Sequence, residues 1–207
     1  MDEILTHVNI MGGTSPIIEE LIRENLDNRV IILNDAVDEC ILENITLQIL
    51  KFNQEDIGLP EDKRKPIKLF IQSPGGNMID GFNLIDVIEA SITPVYTICF
   101  SNSCSMAFHL FITGKKRYAF KNSILLNHDG DIELRNSGSK AKDTMDFIEK
   151  LNERVKNHVL GYTKMDSDFY DSIYEKEFYM FADDKAKELG CVDYIIGEDT
   201  TLDSILS

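Results

Sequence analysis

With 207 residues and 43% apolar content, the chain can build one large domain or two small ones, and no break in composition divides it. A formal charge of −15 excludes the basic footprint that nucleic acid and acidic membrane surfaces require. No apolar run is long enough to span a bilayer, and Met1-Asp2-Glu3-Ile4-Leu5 carries no signal-peptide pattern, so the expectation is a soluble, cytoplasmic protein.

Residues 1–27 read as an N-terminal segment containing one clear loop, Gly12-Gly13-Thr14-Ser15-Pro16, and a first strand follows at 30–33. A charged connector, residues 59–66, leads from a helix to a short β-rich run at 68–72. Ser73-Pro74-Gly75-Gly76 comes next, and residues 77–90 place Met78, Phe82, Ile85 and Ile88 at helical spacing. Gly76 therefore lies near a helix N-terminus, where backbone N–H groups point outward and favour negative charge. Taken alone, this is also the pattern of an ordinary tight turn between strand and helix.

The same arrangement recurs at once. A strand at 95–100 runs through Ser101-Asn102-Ser103-Cys104 into a helix carrying Met106, Ala107, Leu110 and Phe111. Ser105 at that junction would present its hydroxyl at the C-terminal edge of a sheet, where ligands bind in α/β folds. A serine before a helix is usually an N-cap, and Ser101 and Ser103 fit that role better than Ser105. Strands at 117–120 and 123–127 end at His128, with Asp129-Gly130 as a turn. A lone histidine at a strand end suits a general base better than a metal ligand. His109 lies one helical turn after Ser105 and reads as helix packing; His7 and His158 read as surface residues.

The segment 140–160 spaces Ala141, Met145, Ile148, Leu151, Val155 and Val159 as an amphipathic helix. Cys40, Cys99, Cys104 and Cys191 stand singly in apolar surroundings without metal-ligand spacing, which reads as reduced, buried thiols and no metal site. The chain has no nucleotide-binding loop, no internal repeat and no sign of a cofactor.

Ser73-Pro74-Gly75-Gly76, Ser105-Met106-Ala107, Leu126-Asn127-His128 and the run Ala186-Lys187-Glu188-Leu189-Gly190-Cys191-Val192-Asp193 together resemble the successive signatures of ClpP, the proteolytic subunit of the Clp proteases. The resemblance extends over residues 28–197, and the order and spacing of four motifs are more specific than any one. It implies an α/β, ClpP/crotonase-like core of repeated ββα units in residues 28–207, with a strand-helix handle at 129–162 projecting from it. It also implies a serine endopeptidase cleaving unfolded polypeptides and peptides. Ser105 takes the place of the nucleophile, His128 of the base, and the N–H groups of Gly76 and Met106 of the oxyanion hole.

The family's aspartate falls on Glu177, within residues 174–180. Because that match depends on a one-residue shift before Ala186, Glu175 and Asp171 remain rivals. Further implied are two stacked heptameric rings, an AAA+ unfoldase ATPase as partner with Phe70, Ile98 and Phe100 lining its docking pockets, and a strand at 131–135 able to pair with extended substrate. The chain departs from the pattern at Ser103-Cys104, at Asp129-Gly130, in a shorter hairpin after Gly114, and at Lys68, where an aromatic residue is frequent. Two other readings stay open: a non-catalytic ring subunit, if glutamate orients His128 poorly, and a crotonase-type enzyme acting on acyl-coenzyme A.

Overall fold

The computed structural model describes residues 16–130 and 138–206. His7, most of the 12–16 loop and the strand expected at 131–135 lie outside them. The described chain is α/β. Helix α1 (Pro16–Asp27) leads into β1 (Val30–Leu33), and a π-helical turn continues as α2 (Leu47–Glu55). Then come β2 (Ile67–Ser73), α3 (Met78–Ala90), β3 (Val95–Cys104), α4 (Met106–Ile112), β4 (Lys116–Phe120) and β5 (Ile124–Asn127). The long α5 (Gly138–Tyr162), α6 (Ser167–Ile173), β6 (Phe178–Phe181), β7 (Tyr194–Ile196) and α7 (Leu202–Leu206) complete it.

Strands β1, β2, β3, β4 and β7 lie side by side in that order, each parallel to its neighbour. Strand β5 runs parallel to the far end of β3, and β6 closes the edge antiparallel to β5. The parallel strands are rich in apolar residues because one face is fully covered and the other partly so, leaving Ile32 and Phe100 exposed. On one face the core packs Ile31, Leu69, Ile71 and Cys99 against α3 and α4. On the other, Ile98, Tyr118, Ile196 and Ile205 form a smaller cluster, with Phe70 and Phe120 against it.

Every residue of α4 is buried, since the helix is wedged among β2, β3, β5, α3 and α5. Gly81 makes the α3 side of that contact: a Cβ there would lie 2.2 Å from the Met106 side chain. No helix among the described residues is long and apolar enough to cross a membrane.

Several expectations change. Strand β3 continues through residues 101–104, so Ser101 and Ser103 are strand residues and not helix caps; Ser103 is buried, with its hydroxyl 3.2 Å from the Cys99 sulfur. The polar run extends as strand because β5 pairs with it from Asn102 to Cys104. Of the cysteines, Cys99 and Cys191 are buried, Cys104 is half-buried, and Cys40 is exposed beside Asp38 in the loop before the π-helical turn. His158 is not a surface residue: it packs under α4, where its Nε2 lies 3.1 Å from the His109 carbonyl. Lys68 is buried too, donating from Nζ to the Leu206 carbonyl at 2.7 Å. Ile98 is fully enclosed, whereas Phe100 is exposed.

Candidate active site

Two strand-to-helix turns meet at the C-terminal ends of the adjacent parallel strands β2 and β3. Their register, with Ser73 opposite Ser103, carries the turn after β2 alongside the turn after β3. The approach is close enough to require glycine. A Cβ on Gly75 would sit 2.5 Å from the Cys104 carbonyl oxygen, 2.6 Å from the Ser105 Cβ and 2.9 Å from the Met106 nitrogen, and Gly75 has φ +94°. A loop residue, Val37, pins the turn from its other side: its N–H donates to the Gly75 carbonyl at 2.9 Å, and its carbonyl accepts from the Asn77 N–H at 2.7 Å. Asn77 then caps α3, its Oδ1 accepting from the N–H groups of Ile79 and Asp80.

Ser105 occupies the cap position of α4 but does not act as a cap. Its side chain makes no capping hydrogen bond, and its backbone sits at φ 53°, ψ −127°. A non-glycine residue held there is strained, and such strain persists only where the surroundings impose it. Here the Ser105 N–H donates to the Leu126 carbonyl at 2.9 Å, continuing the β3–β5 ladder beyond Cys104. That bond also ties Ser105 to the strand that delivers His128 two residues later. Met106 opens the helix, so its N–H has no acceptor within α4.

The partner of His128 follows from strand register. In the antiparallel β5–β6 pair Asn127 faces Phe178, and one further step sets His128 against Glu177. The Nδ1 of His128 lies 2.8 Å from Oε1 of Glu177. With a carboxylate at Nδ1, that nitrogen carries the proton and Nε2 holds the free lone pair. Nε2 is buried without a hydrogen-bond partner among the described residues. The Glu177 side chain is 59% exposed and that of His128 only 19%. Of the rivals, Asp171 is engaged elsewhere, accepting from Lys156 at 2.6 and 2.7 Å, and Glu175 is exposed.

Ser105, Met106, Gly76 and His128 line one groove of about 640 Å³, walled on the far side by Phe147, Ile148 and Leu151 of α5. Periodicity predicts the helical spacing of Ile148 and Leu151 but not that they face this groove. Of two more groove residues, His109 carried a weak signal, its one-turn offset from Ser105, which reads as helix packing, and Tyr174 carried none. The role of Val37 as a clasp was not visible, because it depends on a loop crossing from β1.

Burial holds the His109 imidazole neutral, depressing its pKa from 6.5 to about 3, and it lowers that of His158 in the same sense. The Cys104 thiol beside Ser105 is pushed up, chiefly by burial, which leaves it a poor nucleophile. The described residues contain no group of three or more histidine, cysteine or carboxylate side chains able to hold a metal.

Comparison with known proteins gives concordant results. A family model described as Clp protease matches residues 15–199. The ATP-dependent Clp protease proteolytic subunit of Cyanophora paradoxa is 31% identical over 184 residues, covering 82% of this chain and 85% of that protein. The ATP-dependent Clp protease proteolytic subunit 2 of Bacillus licheniformis is 27% identical over 173 residues, covering 83% of this chain and 87% of that protein.

Proposed function

The chain belongs to the Clp protease family, and from that premise we propose that it is a serine endopeptidase in which Ser105 is the nucleophile, His128 the general base and Glu177 the acid that orients it. The observation that carries this reading is the 2.8 Å bond from His128 Nδ1 to Glu177, which leaves an unpartnered Nε2 in the groove that Ser105 also lines. Its steps follow from those positions. His128 Nε2 takes the proton of Ser105 Oγ as the hydroxyl attacks a peptide carbonyl, then delivers it to the leaving amine; water repeats the sequence on the acyl-enzyme. The imidazolium formed in each step is stabilised by Glu177.

The N–H groups of Gly76 and Met106 receive the oxyanion. Each such donor contributes about 3 to 4 kcal/mol to the transition state in a comparable protease. Hydrogen bonds of this kind tighten only when substrate arrives, so a serine and a histidine not yet bonded to one another are compatible with the role.

The same reading takes unfolded polypeptides as substrates, cleaved inside a chamber of two stacked heptameric rings in the cytoplasm and fed by an AAA+ ATPase. The relatives' printed names describe an ATP-dependent protease, and this chain has no nucleotide-binding loop of its own.

Intact mass after incubation with a fluorophosphonate, run beside a fluorogenic peptide assay, tests the proposal. One adduct per chain is expected, lost in Ser105→Ala and His128→Ala together with peptide turnover. An assembled oligomer that neither labels nor cleaves points instead to the non-catalytic ring subunit, a reading that the exposure of Glu177 favours.

A further inference from the structure

Asp129 lines the groove next to His128, is exposed to solvent, and takes no part in the steps above. An aspartate before a glycine in a turn commonly accepts a hydrogen bond from nearby backbone N–H groups. The Asp129 carboxylate makes no such bond and no ion pair among the described residues, so the turn does not account for it. Burial first, and then the charge of Asp129, raise the pKa of the Tyr174 hydroxyl, which places that carboxylate near a second residue of the same groove. No lysine or arginine among the described residues lines the groove to neutralise it. Glu177, more than half exposed and bonded to Nδ1 of His128, adds a second negative charge on the same side. The groove is therefore apolar along α5 and negative beside the imidazole.

Resting on the peptidase reading of this groove, we propose that Asp129 is a specificity-determining residue, selecting substrates with lysine or arginine in the first two residues on the leaving-group side of the cleaved bond. His128 delivers its proton to the leaving amine, so that amine and the residue bearing it lie on the His128 side of Ser105. Asp129 stands one peptide unit beyond His128, about 3.8 Å between Cα atoms, a distance that a long basic side chain spans. A cation there meets a carboxylate that water still reaches, so the gain is modest and sensitive to salt, and a glutamate meets a like charge. The net charge of −15 attracts any basic peptide from a distance, whichever side of the bond carries the cation. Dependence on position is what separates Asp129 from that general steering.

The test is kcat/KM of the full chain on internally quenched peptides that differ only in one residue just after the cleaved bond: lysine, glutamine or glutamate, with the cut confirmed by mass spectrometry. Each preference is taken relative to the same exchange made in the fourth residue before the bond, which reports steering alone. Lysine is expected to exceed glutamine about threefold, with glutamate behind glutamine by a similar factor, as for an ion pair that water still reaches. At about 1 M salt, where charges are screened within about 3 Å, the ratios should approach one. Asp129→Asn is expected to abolish the preference and Asp129→Lys to reverse it, with folding checked by circular dichroism. Lysine and glutamine cleaved alike by the unaltered protein, or a lysine preference that persists in Asp129→Asn, overturns the inference while fluorophosphonate labelling keeps the peptidase reading intact. Absence of both labelling and cleavage removes that reading, and this inference with it.

Discussion

The turn that carries Ser105 is fixed by backbone atoms packed against one another, whereas the His128–Glu177 pair rests on one side-chain hydrogen bond at the sheet edge. Around Ser105, glycine, strand ladder and buried helix all meet within van der Waals distance, and the backbone is held at a torsion it would not choose. Around Glu177 the side chain is more than half exposed, and the bond spans a two-stranded edge. The contrast teaches that one half of the site cannot change without moving the fold. The other half is open to substitution, and on the proposed reading Glu177, in the place of the family's aspartate, is a change of that kind.

Breaking the packed half produces the largest effect. Gly75→Ala puts a Cβ into the Cys104 carbonyl and the Ser105 Cβ at a φ of +94°, so both Ser105 and the Met106 N–H must shift. Displacement of about 1 Å costs roughly 100-fold, and a misplaced oxyanion donor costs about as much again, so kcat is expected to fall by ~10³ or more. Stability falls with it, by about 2 kcal/mol or more, because the strain has no flexible side chain to absorb it. Urea unfolding and peptide turnover measured on one preparation check both losses; a variant of unaltered stability would mean that the turn is looser than its contacts require.

Breaking the exposed half separates the two quantities. Glu177→Gln keeps the size of the side chain and removes the charge that favours the imidazolium. Turnover is expected to fall about 100-fold, less than the roughly 10⁴ seen for a buried acid, because solvent screens an exposed carboxylate. Unfolding free energy should stay within about 0.5 kcal/mol of the unaltered protein. Glu177→Asp sharpens the point, since a shorter side chain at an unmoved backbone withdraws the carboxylate from Nδ1; it should lie between the two. Equal turnover in all three proteins would remove Glu177 from the mechanism.

The same contrast sets how much could be read from the sequence. Strand β1 and the bounds of α3 follow local periodicity and the Asn77 cap, and there the expected ranges agree with the structure to within a residue. The far end of β3 does not, because Ser101-Asn102-Ser103-Cys104 has no strand propensity of its own and is extended by pairing with β5. Gly76, Ser105, Met106 and His128 lie at element ends marked by turn residues, so their positions were legible, and they line one groove. Which carboxylate reaches His128 was less so: the resemblance put Glu177 first but left Asp171 and Glu175 as rivals, because the three are chemically alike in the sequence, and it is the β5–β6 register that sets Glu177 against His128. His158 was misread for a related reason, as a polar helix gives no local sign that α4 covers one of its faces.

The smallest expected effect concerns stability alone and arises behind the packed half. His109 is held neutral by burial with a pKa near 3, against 6.5 for a free imidazole, and His158 is shifted in the same direction. Above pH 6.5 neither folded nor unfolded chain protonates these rings, and their burial is fully tolerated. Below it the unfolded chain binds protons that the native state refuses, so stability falls as pH drops from 6.5 toward 3. The slope for His109 alone approaches about 1.4 kcal/mol per pH unit, and His158 adds to it. Thermal unfolding at fixed protein concentration between pH 7 and 5 measures this above the range where most carboxylates titrate. His109→Phe should remove one ring's share of the slope, while Glu177→Gln should leave that share in place, because its effect is on the orientation of His128 and not on the buried imidazoles of His109 and His158.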